Sequence, residues 1–152
     1  MGKVKKSKFD NKFKSITPKD IRKSGVKKEK EVFEELPKLS LNFKDFDQNQ
    51  CPPGQTFEDW QENGLLATLM KKFVSVCMYN RMEAEQQKIL KVYGSFPQNS
   101  EYKIPKFITG DVEWGTIQRI GGQKPRLAGY IIGSIFYPVF LDKDHKFYPT
   151  KK

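Results

Sequence analysis

The chain has 152 residues, 37% of them hydrophobic and 13% aromatic, and its 28 Lys/Arg outnumber 18 Asp/Glu for a net charge of +10. That length favours one domain, and no apolar run approaches the roughly 18 residues that a membrane-spanning helix needs. The lysine-rich beginning lacks the apolar stretch of a secretory signal, so a cytoplasmic protein without a membrane partner is expected.

The charge is unevenly placed. Residues 1–30 hold 12 Lys/Arg and 3 Asp/Glu, residues 31–101 hold 7 and 11, and residues 102–152 hold 9 and 4. Residues 1–31 therefore read as a basic arm, too polar to bury a core and expected to stay disordered without a partner. Lys5, Lys6, Lys12 and Lys14 are interleaved with Phe9 and Phe13. Lysines displace counterions from a polyanion, and aromatic rings stack on bases. RNA, DNA or a ribosome surface suits this arm, as does an acidic protein surface; a purely solubilising tail has the same composition. Thr17-Pro18-Lys19-Asp20 marks a short helix start.

Residues 32–152 read as a single α+β domain. Residues 39–46 alternate, with Leu39, Leu41 and Phe43 on one face of a strand. Residues 47–54 form a loop by composition. Thr56 is placed to cap a helix whose first turn holds Glu58 and Asp59. Apolar spacing carries that helix from Phe57 to Cys77 through Gly64, with Trp60, Leu66, Met70 and Phe73 facing the core. Asn80 caps a second, thinner helix over residues 81–93, ending at Gly94. Residues 95–105 are a loop that leads to an edge segment at 106–108. Residues 112–120 form a strand with Gly115 as a bulge. Gly121 to Pro125 turn the chain, and Gly133-Ser134 joins two further strands, residues 127–132 and 135–141, as a two-residue hairpin. Pro138 makes the last strand an edge or a bulged strand. The expected fold has helices on one face of a small antiparallel sheet that ends in a β-meander. Cys51 and Cys77 lack a metal-ligand spacing and read as reduced thiols, one near a loop and one in a helix core.

The hairpin's geometry gathers a candidate site. Arg126 opens one strand, and His145, Lys146 and Tyr148 follow the exit of the next, so they share one edge of the sheet. Arg119 and Lys124 flank the preceding turn. Such a set suits RNA cleavage without a metal. An imidazole moves protons near neutral pH, a guanidinium holds the phosphate, and a tyrosine stacks on a base or donates a proton. The competing reading is a polar strand exit with a solvent-exposed histidine. Asp142, Asp144 and His145 could together hold a divalent ion, yet no partner cluster accompanies them, and neither a metal nor a cofactor is expected. Walker, nucleophile-elbow and zinc spacings are absent.

The Arg-Leu-x-Gly-Tyr strand and the Phe-Tyr-Pro-Val-Phe-Leu-Asp-x-x-His-Lys-x-Tyr strand, behind a pair of helices in a small basic protein, resemble the RelE/ParE-type toxin superfamily over residues 112–148. The resemblance implies ribosome-dependent mRNA cleavage and inhibition by an antitoxin. Its matching segments are Arg126-Leu127 and His145, Lys146 and Tyr148; the preferred assignment places His145, Arg126 and Tyr148 in catalysis, with Lys124, Arg119 and Lys146 contacting nucleic acid. The chain departs from the pattern in its length, its thirty-residue basic start and its acidic middle. The alternative is a non-catalytic interaction protein, a toxin-antitoxin, phage or defence-system factor that docks through its arm. The sequence carries no signal for an oligomeric state.

Overall fold

The computed structural model describes residues 36–149. The basic arm, its four named lysines and the Thr17–Asp20 helix start lie outside the described residues. The elements run β1 (Ser40–Leu41), α1 (Phe57–Glu62), α2 (Leu66–Val76), α3 (Arg81–Gln86), β2 (Leu90–Gly94), β3 (Glu113–Ile117), β4 (Arg126–Ile132) and β5 (Ile135–Asp142). The strands form one sheet in the order β1-β5-β4-β3-β2. Only the β1–β5 pair is parallel, and the rest is an antiparallel meander. The α+β class with a C-terminal meander is as expected. No helix of the described residues is long and apolar enough to cross a membrane.

Local chemistry explains the boundaries. Thr56 closes a capping box with Asp59, each side chain bonding the other's backbone N–H, and Asn80 does the same with Glu83. Both reciprocal pairs satisfy amides that the first helical turn leaves free. The helix expected over residues 57–77 is broken at Asn63-Gly64. Gly64 adopts φ +73°, a left-handed conformation that stops a helix and suits glycine. The two pieces bury different residues: Trp60 on α1, and Leu69, Phe73 and Val76 on α2. Met70, expected in the core, is 54% exposed, because the break rotates the buried stripe to the i, i+4, i+7 series from Leu69. Cys77 is likewise exposed rather than in a helix core, and both thiols are free.

The helix expected over residues 81–93 ends after two turns. Lys88 turns left-handed at φ 60°, and the Ile89 N–H returns to the Ala84 carbonyl. The residues beyond pair with β3. Their apolar groups repeat every second residue, with Leu90 and Val92 toward the helices and Tyr93 toward the other face, which is a strand's period. The expected strand at 39–46 shrinks to Ser40–Leu41, leaving Phe43 39% exposed. Residues 106–108 make a turn, not an edge strand. Gly115 stays in register, and the bulge lies opposite, between Val92 and Gly94.

A second register shift sits where Ala128 and Gly129 face Phe140 and Pro138. Pro138 therefore belongs to a bulged strand, one of the two expected arrangements. The bulge brings the chains together: a Cβ on Gly129 would lie 2.1 Å from the Tyr137 carbonyl oxygen. Only glycine fits there.

The sheet buries both faces. Helices cover one, packing Trp60, Leu69, Val76 and Ala84 on Leu90, Ile117, Leu127, Ile131 and Phe136. On the other face Tyr102, Ile108 and Phe147, from the segments outside β2 to β5, pack on Trp114, Ala128, Tyr130 and Phe140. This second layer has no regular secondary structure, and it builds the site.

Candidate functional site

Phe147 anchors the chain after β5. It is fully buried, with its ring centroid 5.2 Å from Phe96, 6.0 Å from Trp114 and 6.1 Å from Phe140. Asp142, also fully buried, fixes the turn that leads there. Its Oδ1 accepts from the Lys146 amide at 2.8 Å and from the Tyr102 hydroxyl at 3.1 Å, and its Oδ2 accepts from the Phe147 amide at 2.9 Å. Burial raises the Asp142 carboxyl above its ordinary value, although those three donors and the charge of His145 pull it down. The Asp142 oxygens thus organise the turn. Asp144 pairs with Lys143 at 3.2 Å. Among the described residues no group of three His, Cys, Asp or Glu side chains is arranged to hold a metal.

This turn puts His145 and Tyr148 on the wall of an open cleft of about 890 Å³, with Arg126, Gln118, Lys91 and Tyr93 on the sheet side and residues 95–99 at the rim. Among the described residues no acidic one lines it. Arg126 opens β4, directly opposite Asp142 at the end of β5. Its guanidinium donates to the Lys124 carbonyl (3.2 Å), the Gln123 carbonyl (2.6 Å) and Gln118 Oε1 (3.0 Å). All three partners are neutral. They fix the plane of the group without cancelling its charge, and three of its five N–H donors are used. His145 is held in a left-handed turn at φ 62°, with Nδ1 sealed from solvent and without a partner. Tyr148 stacks on Tyr93, ring centroids 4.3 Å apart and 13° from parallel, and Lys91 Nζ lies 5.4 Å from the centre of the Tyr93 ring. Cation–π attraction and stacking tie these three side chains together.

Of the residues singled out from the sequence, Arg126, His145 and Tyr148 are brought to one cleft. Lys124 is exposed and contributes its carbonyl rather than its ammonium. Lys146 points to Glu101, 3.8 Å away. Arg119 lines a neighbouring cleft. Lys91, Tyr93 and Gln118 were not foreseen. The alternation of Leu90-Lys91-Val92-Tyr93 is the signal that would have placed Lys91 and Tyr93 on a strand.

No family model, curated protein or solved structure matches this chain.

Proposed function

We propose that the chain is an RNA-associated protein of the cytoplasm and, in the sharpest form of this reading, a metal-independent ribonuclease of the RelE type. The observation that carries the reading is the convergence of Arg126, His145 and Tyr148 on a cleft that no acidic side chain lines among the described residues. The proposed reaction is attack of a ribose 2′ oxygen on the adjacent phosphorus. His145 takes the 2′ proton on Nε2, since Nδ1 is sealed. The two unused N–H groups of Arg126 receive the charge that builds on the phosphorane. Tyr148 gives a proton to the departing 5′ oxygen, and solvent restores both side chains. The products are a 2′,3′-cyclic phosphate and a free 5′ hydroxyl. The Tyr93–Tyr148 stack offers a platform for a base.

The test is expression of the wild-type chain and His145→Ala in growing bacteria, following growth and the integrity of a translated mRNA. The expected result is arrest with cleaved message in the wild type and relief in the variant. Purified His145→Ala should keep its melting temperature, since the side chain makes no hydrogen bond whose loss would unfold it. Arrest that persists in the variant removes His145 from the chemistry.

A second reading, a non-catalytic interaction protein, is favoured by a different surface. Met70, Val74 and Met78 are 54%, 62% and 64% exposed along α2 and its exit, an apolar stripe of the kind that partner proteins cover.

A further inference from the structure

The cleft does not end at Arg126. A second cleft, of about 500 Å³, shares Lys91, Gln118 and Arg126 with the first and continues past them to Lys88 and Arg119. The double cleft is therefore lined by four cations, Lys88, Lys91, Arg119 and Arg126. Among the described residues none of the four is in an ion pair. Among the described residues the one acidic residue lining this path, Glu85, is engaged by Arg81 Nε at 3.2 Å.

The backbone adds an independent observation. Among the described residues, three that are not glycine have positive φ: Lys88, Arg119 and His145, at 60°, 61° and 62°. All three line this double cleft. Each left-handed residue costs about 1–2 kcal/mol, and such strain collects at functional sites. Asn or Gly would relieve it, yet each position carries a basic side chain.

We infer that the two clefts form one track for a single-stranded RNA several nucleotides long. A base lies at the Tyr93–Tyr148 platform, a phosphate sits at the junction between Lys91 and Arg126, and the following phosphates lie on Arg119 and Lys88. This inference rests on the RNA reading of the first cleft and extends it. The track requires substrate beyond the scissile linkage. A duplex does not fit, because its bases are not free to stack on the tyrosines.

The experiment measures binding of fluorescent, non-cleavable 2′-O-methyl oligoadenylates of about two and about eight nucleotides, a span chosen around the site size of single-strand binders. The proteins are the full wild-type chain, Arg126→Gln, and the double variant Lys88→Asn, Arg119→Asn. Asparagine tolerates the left-handed backbone, so the double variant should fold. The expected result is that the double variant binds the long oligomer roughly tenfold more weakly, with a salt slope reduced by about 1.4, or about 0.7 for each phosphate that no longer meets a cation. The short oligomer should bind as before, and Arg126→Gln should bind both several-fold more weakly than the wild type, the residual binding being that of the basic arm. If the double variant binds the long oligomer with unchanged affinity and slope while Arg126→Gln weakens binding, the track is overturned and the first cleft stands; if neither variant weakens it, both readings fall. If the wild type binds neither oligomer, both readings fall.

Discussion

Asp142 decides more of this molecule than its lack of exposure suggests. Three donors converge on its two oxygens. Asp142→Asn would replace one oxygen with an NH2 group that faces a donor. We expect a loss of about 1–3 kcal/mol, measurable by chemical denaturation, with His145 and Tyr148 released from the cleft wall at the same time. Tyr102, which donates to Asp142, has its own pH signature. Burial, then the neighbouring Asp142 charge, raises its hydroxyl far above the ordinary tyrosine value. The unfolded chain ionises this group near pH 10 while the folded chain does not. The stability contribution is therefore complete below about pH 10 and is lost as pH rises through the folded value. Denaturation at several alkaline pH values should show wild-type stability falling more steeply than that of Tyr102→Phe. At this scale the sequence was legible where hairpin geometry alone fixed a neighbour: Arg126 must lie beside the exit of the following strand. It was not legible for Lys124 and Lys146, whose charges looked equivalent to that of Arg126. Which lysine turns inward depends on packing, and no local pattern encodes it.

Among the elements, the segments without regular structure matter most. Phe147 holds the last described turn to the sheet, and Phe147→Ala should cost about 3–5 kcal/mol and abolish cleft binding. A variant that keeps its melting temperature would show that the anchor lies elsewhere. Two glycines separate local strain from steric exclusion. Gly64→Ala meets open space and suffers only the left-handed backbone, about 1–2 kcal/mol. Gly129→Ala drives a methyl group into the Tyr137 carbonyl and should be the worse of the two, readable as a lower denaturant midpoint. The caps at Thr56 and Asn80 and the Gly133-Ser134 hairpin were legible because a few adjacent residues determine them. The lengths of the helices were not. Gly64 and Lys88 end them, and the strand that follows Lys88 exists because β3 stands ready to pair with it. β3 is distant in the sequence, beyond what a local reading detects.

The whole molecule combines two electrostatic regions of different kinds. Residues 1–30 concentrate 12 Lys/Arg against 3 Asp/Glu, and the cleft arranges a few cations at fixed points. Binding of RNA to the full chain should weaken steeply with salt, and a chain lacking residues 1–31 should show a shallower slope. Discrimination between single strand and duplex should survive that deletion if the proposed track supplies it. Equal slopes for the two chains would remove the arm from RNA binding.

The two margins of the sheet are treated differently. Along β5, the carbonyls of Ser134, Phe136, Val139 and Leu141 each receive an amide from the passing chain, in turn Ser40, Asn42, Asp47 and Gln55. Just one of those four donors, Ser40, belongs to a strand, yet the margin is occupied for its whole length. β2 stands at the opposite end of the sheet order from β1 and carries Lys91 near its start. Among the described residues the β5 carbonyls are already taken, and at the β2 margin a lysine guards the approach of another β-strand. A polypeptide that paired there and a nucleic acid in the cleft would compete for the same ground.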